Sequence, residues 1–303
     1  MLIRAGYEIH FDAKVPTAML ALLSVHPSRN KDLVTPQRIQ ASPEVPIYDY
    51  IDGYGNICSR FTAPEGGVSV SCDFIIEDDG KPDVRAPDGP QARVETYPDE
   101  VLIYLLGSRY CETDLLMDVA WSNFGHLTSA RDRVEAVVGF VNGHLSFGYQ
   151  HARSSKTAWH GYQEREGVCR DFAHLAVTLC RCLNIPARYC TGYLGDILVP
   201  FDEAPMDFSA WFDVFIDGAW YTYDARHAAP RVGRILMAQG RDATDVALTT
   251  SFGDALLKSF YVRAEEVTSR ALPITMPLSP NCEDTSAFGG GSVQEQQARA
   301  PQG

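Results

Sequence analysis

The chain has 303 residues, 45% hydrophobic and 21% charged, the proportions of a globular protein with material for one large domain or two modest ones. Its formal net charge of −13 repels phosphate backbones and anionic lipid, which argues against nucleic acid or a membrane as partner. The opening stretch MLIRAGYEIHFDAKV is charged throughout and lacks the apolar core of a secretory signal, and the apolar run Ala18 to Val25 is too short to span a bilayer, so a cytoplasmic location is expected.

Taken in chain order, segments 2–11, 19–26, 46–51, 57–62 and 67–76 read as strands separated by turn formers such as Asp52-Gly53 and Pro64-Glu65-Gly66-Gly67. Short strands at that spacing predict a β-sandwich-like domain over 1–95, of which 77–95 is a Pro/Asp/Gly-rich linker. From Tyr97 the character changes. A helix is expected to begin at Pro98-Asp99-Glu100, and others over 112–123 and 129–145, the latter behind Ser129 as cap with Val134, Val137, Val138 and Val141 on one face. A short helix over Thr157 to Glu164 precedes Cys169, from which Phe172, Leu175, Ala176, Leu179 and Leu183 form a further apolar stripe ending at Asn184-Ile185-Pro186. Strands are expected at 187–194, 208–216, 219–225, 233–238, 245–250 and 258–263, with Asp217-Gly218 as a two-residue hairpin turn. The fold class is therefore α+β, with helices packed on an antiparallel sheet in a second domain over 96–278. The polar, Gly/Gln-rich stretch 279–303 reads as a disordered tail.

Eight cysteines, at 58, 72, 111, 169, 180, 182, 190 and 282, are expected to be free thiols in a chain without a secretory signal. Cys180, Cys182 and Cys190 read as small buried apolar side chains, and no spacing supports a metal site. Cys169 is different. It opens a helix behind Gly167-Val168, where free backbone N–H groups and the helix dipole favour a thiolate and can hold an oxyanion. Gly167 would admit a substrate close to the backbone, and Asp171 suits the helix start. His174 projects about 140° away from Cys169 around the helix and is expected on the surface or between helices.

A nucleophilic cysteine needs a base. With Ile216 paired to Ala219 across the hairpin, Ser209, Trp211, Asp213, Thr222 and Asp224 share one face, and Phe212, Val214, Ile216, Tyr221 and Tyr223 the core face. Ser209 and Asp224 become diagonal neighbours at ~7–8 Å. An aspartate at 224 would orient a histidine at 209, but the residue there is serine.

The stretches GVCRDFAHLAVTLCRCLNIPARYCTGYLGD (167–196) and FSAWFDVFIDGAWYTYDARH (208–227) resemble the cysteine segment and the histidine–aspartate strands of the bacterial transglutaminase-like superfamily, of cysteine protease type. The resemblance implies a papain-like core in which Cys169 is the nucleophile and Asp224 the orienting acid. The family reads His-Ala-Trp where this chain has Ser209-Ala210-Trp211. Three readings follow. His227 supplies the imidazole as base, which requires the strand to break at Ala225-Arg226. His151 or His160 folds into the slot. Or the site binds without catalysis. Ser209 can hold a water or orient a carbonyl, and Asp207 places a carboxylate that would raise a neighbouring thiol. Trp211 is expected near the binding site. The function implied is acyl transfer from an amide or peptide to water or an amine through a thioester on Cys169, with no cofactor, no metal and a peptide or amide as partner. The alternative is a non-catalytic binding module.

Overall fold

The computed structural model describes residues 1–202 and 204–271. The expected tail at 279–303 lies outside the described residues. Strands β1 (Leu2–Ala13), β2 (Thr17–Ala21), β3 (Gln40–Ser42), β4 (Tyr48–Ile51), β5 (Ile57–Ala63) and β6 (Val68–Glu77) come first. Helices α1 (Asp99–Leu102), α2 (Thr113–Phe124), α3 (Ala130–His144) and α4 (Ala158–Glu164) follow, with short strands β7 (Ser146–Phe147) and β8 (Glu166–Gly167) on either side of α4. Helix α5 (Cys169–Cys182) leads into β9 (Ala187–Leu194), β10 (Ser209–Ile216), β11 (Ala219–Tyr223), β12 (Arg234–Gly240), β13 (Thr249–Phe252) and β14 (Ala255–Val267).

Two four-stranded sheets, ordered β14-β1-β6-β3 and β13-β2-β5-β4, turn their apolar faces into one core. Ile3, Tyr7 and Phe11 from β1, Met19 from β2, Phe61 from β5 and Phe74 from β6 are all buried there. This is the sandwich expected from the N-terminal pattern, with one correction. The strands expected near 245–250 and 258–263 were grouped with the 96–278 unit. In the structure β13 pairs with β2, and β14 runs antiparallel along β1 from Leu2↔Val267 to Ala13↔Ala255. Alternation identifies a strand but carries no information on a partner some 250 residues away, which is fixed by the edges left open. The two halves also meet closely at Gly195, where a Cβ would lie 2.2 Å from the Ala264 carbonyl oxygen.

The third four-stranded sheet, β11-β10-β9-β12, carries α5 on one face. Phe212, Val214 and Ile216 of β10 bury against Phe172, Leu175, Ala176 and Leu179 of α5. The hairpin has the expected register, Ile216↔Ala219 through Phe212↔Tyr223, with Asp217 (φ +50°) and Gly218 (φ +81°) in the left-handed conformations that a two-residue turn requires. The Ser129 side chain accepts from the Asp132 amide and caps α3 as expected. Of the two places expected for His174, the surface is excluded: the residue is wholly buried, because α2, α3, α4 and two strands surround α5 rather than leaving it a wet face. No helix among the described residues is long and apolar enough to cross a membrane.

Candidate active site

Cys169 is the first residue of α5 and is partly exposed. The cap behind it is built from Asp171, whose Oδ2 accepts from the Val168 amide at 2.9 Å while Arg170 reaches Oδ1 at 3.3 Å. This explains Gly167. A Cβ there would sit 2.7 Å from the Asp171 carboxylate, so the glycine makes room for the cap. The Cys169 sulfur accepts from the Ala210 amide on β10. Burial pushes the thiol up to about 11, and the Asp207 carboxylate adds to this, while the Arg226 charge and the Ala210 amide act in the opposite direction. Burial and Asp207 therefore favour the thiol, against the thiolate that helix position favours.

Strand β11 stops at Tyr223, and the chain turns sharply at the next residues. The Ala228 amide closes onto the Asp224 carbonyl at 2.9 Å, and Asn142 Nδ2 donates to the carbonyls of Ala225 and Arg226 at 3.1 and 2.7 Å. This is the break at Ala225-Arg226 that a role for His227 requires. It brings the ring back so that Nδ1 lies 2.8 Å from Asp224 Oδ2. The Arg226 and His227 amides donate to Oδ1 at 2.9 and 3.1 Å, and Arg234 Nη2 donates to Oδ2 at 3.0 Å. Burial on its own would raise the Asp224 carboxyl. The His227 hydrogen bond and the Arg234 charge outweigh it and hold the group well below the usual carboxylate range.

His227 and Ser209 line a cavity of about 510 Å³ together with Tyr149, Asp207 and Arg226. Asp207 and Arg226 are the two charges that bear most on the Cys169 sulfur, and Tyr149 feels that sulfur in turn. So Asp207, Ser209, Arg226 and His227 share one opening, and two of its charged walls, Asp207 and Arg226, act on the Cys169 sulfur. Among the described residues no hydrogen bond joins the Cys169 sulfur to His227. The other histidines before α5 are engaged elsewhere. His151 Nδ1 meets Glu166 at 3.1 Å, and His160 Nδ1 meets the Thr157 hydroxyl at 2.8 Å in the α4 cap. Trp211 is 3% exposed and lies on the far face of the sheet, beneath the Arg234 guanidinium at 4.9 Å. It touches the site through Arg234 and not through the cavity. Sequence reasoning missed Arg234 and Asp83, whose contacts with the site span long loops and leave no local signal.

Residues 122–225 match the transglutaminase-like superfamily. A crystal structure of a "Putative Cysteine Protease from Cytophaga hutchinsonii" superposes over 97% of this chain and 98% of its own, with a TM-score of 0.75 and 26% identity. An uncharacterized protein of Mycobacterium leprae is 24% identical over 230 residues, covering 73% of this chain and 81% of its own length. An uncharacterized Mycobacterium tuberculosis protein is 31% identical over 158 residues, about half of each chain (48% and 49%). The superfamily match and the similarity to this cysteine protease-like fold support cysteine-based catalysis.

Proposed function

We propose, for a chain that carries the core of the transglutaminase-like superfamily in residues 122–225, that it performs acyl transfer on an amide or peptide through a thioester on Cys169. One observation carries this reading. A histidine oriented by a buried aspartate opens onto the same cavity whose charged walls act on a cysteine at a helix start.

The state of the sulfur sets the order of events. Burial and Asp207 favour the protonated sulfur, so in this reading the proton leaves as the carbon–sulfur bond forms. The Cys169 sulfur attacks the amide carbon, and its proton passes to His227 Nε2, the ring nitrogen that Asp224 does not engage. The free amides of the first turn of α5 hold the oxyanion. Collapse breaks the carbon–nitrogen bond, and the imidazolium gives its proton to the departing amine. Water then attacks the thioester, His227 takes its proton, and the acid and the thiol are released. Ser209, in the position of the family's histidine, orients the carbonyl or that water. Closure onto substrate shortens the path from sulfur to imidazole, as catalytic hydrogen bonds do when a free site fills.

The test is turnover of a peptide-amide library with mass detection of the acyl-enzyme. Cys169→Ser should lose at least ~10³-fold in rate with the fold intact, and a variant that keeps full turnover overturns the reading. A second reading rests on Ser209 and the protonated sulfur: a cleft that holds a peptide without cleaving it. Tight peptide binding by the native chain, with neither turnover nor acyl-enzyme, would establish that one instead.

A further inference from the structure

The Asp224–His227 pair does not end at the aspartate. Asp224 Oδ1 takes two backbone amides, and Oδ2 takes both His227 Nδ1 and Arg234 Nη2, so imidazole and guanidinium share one oxygen. Arg234 is 8% exposed, lies over the Trp211 ring, and sends Nε to both oxygens of Asp83 at 2.9 and 3.1 Å. Asp83 belongs to the segment expected from sequence to be a linker. It is tied to the loop after His227 in both directions, by the Arg231 amide to its Oδ2 at 2.9 Å and by its own amide to the Arg231 carbonyl at 3.0 Å.

We propose that Arg234 is a positioning residue for the base, and that a buried chain Asp83–Arg234–Asp224–His227, closed beneath by Trp211, sets the orientation and proton affinity of the imidazole. The inference rests on the proposed role of His227 as base. The physical reason is the shared oxygen. A guanidinium on Asp224 Oδ2 takes up part of the negative charge that would otherwise stabilise an imidazolium, which favours the neutral ring that a base must be. It also fixes the carboxylate rotamer, because four donors leave it one orientation. Asp83 offsets part of the Arg234 charge. The linker thereby becomes a working part of the site, since without it the buried arginine would face Asp224 alone.

The remaining charged groups near the imidazole stay constant in the comparison below. On its own turn these are Arg226 and Arg231. Across the cavity they are Tyr149, Asp196, Asp202 and Asp207, and on β14 Tyr261, Arg263, Glu265 and Glu266. Cys169 on α5 faces the same walls.

The experiment is a pH titration of the His227 ring by NMR in the full chain labelled with ¹⁵N-histidine, the signal assigned with His227→Gln. Arg234→Gln should raise the ring's titration midpoint by about one unit, and Asp83→Asn should lower it by a few tenths. Opposite signs are the signature, because a merely structural role would loosen the site in the same way for both. No shift in either variant, or shifts in one direction, overturns the proposal. If Arg234→Gln does not fold, Asp83→Asn decides alone, with a downward shift supporting and any other result opposing. The acid limb of kcat/KM on a peptide amide should move in the same direction as the ring. Shifted ring titration without any Cys169-dependent turnover would leave this chain of contacts standing and remove the enzymatic reading. Turnover with an unmoved ring would do the reverse.

Discussion

His174 and His227 each lie in the field of an aspartate, but only His227 hydrogen-bonds to it and lines a cavity. His174, in the middle of α5, is wholly buried, stacked on Tyr110 and tilted against Tyr189 with ring centroids 5.0 Å away in each case. Its Nε2 accepts from the Ala243 amide at 3.1 Å, and burial holds the ring well below its ordinary value while Asp242 works the other way. Asp242 is itself occupied, accepting from the Tyr110 and Thr244 amides at 2.8 Å each. His227 has the same kind of partner but a different surround. Its side chain is 26% exposed, its Nδ1 is committed to Asp224, and it lines the cavity. An Asp–His pair is thus a chemical device only where one ring nitrogen is left facing a reactant. At the sealed site Asp242 and His174 are each engaged by backbone amides instead.

The largest effect that would break this comparison is on rate. His227→Ala should lower turnover of a peptide amide by about 10²–10⁴-fold, the usual contribution of a general base, with the thermal midpoint almost unmoved. His174→Ala should do the opposite. It empties a packed ring site and orphans the Ala243 amide, at a cost of about 3 kcal/mol in stability by denaturant unfolding, with turnover per folded molecule retained. Equal rate losses in the two variants would mean that accessibility does not separate them.

The sequence made one of these pairs legible and hid the other. Cys169, the hairpin register and Asp224 could be read locally, because a helix start, a two-residue turn and period-two alternation are all short-range. The turn that returns His227 to Asp224 was a condition rather than a reading, and it is met by contacts from α3 through Asn142 that no local pattern announces. The state of the sulfur was misread for a related reason. Helix position argues for an anion, but burial and Asp207 depend on how β10 packs against α5, which is a tertiary fact. For His174 the spacing leaves surface and interior both open, because it says where a side chain points and not what covers it.

A smaller effect sharpens the comparison through pH. His174 is held neutral in the folded state, whereas the unfolded chain gains a proton there below about 6.5. Its contribution is complete above that pH and is lost as pH falls further, with a slope of about 1.4 kcal/mol per unit. His174→Asn should remove one proton's worth of that slope between pH 6 and 4.5 in a series of denaturant melts. His26, also held low by burial, leaves a residual slope in the variant. An unchanged difference between the two curves would mean that the buried ring is already charged, and the contrast with His227 would lose its basis.

The smallest effect concerns the sulfur. Cys111 and Cys169 are both pushed up to about 11, but Cys111 is sealed, and burial is the largest cause in each. At Cys169 the second cause is Asp207 on the cavity wall, and that part can be removed by substitution. In the native chain the alkylation rate of Cys169 by iodoacetamide should climb steadily from pH 7 to 10 without a plateau, since the thiolate fraction grows throughout. Asp207→Asn should lower the midpoint by about half a unit and raise the rate at pH 7.5 about threefold, while Cys111 stays unlabelled in both. A plateau below pH 8 in the native chain would mean that the helix dipole outweighs desolvation, so the resting site would be an ion pair after all. In that case His227 would hold the proton before substrate arrives, and removing Arg234 would stabilise the resting state instead of reducing the neutral fraction of the base.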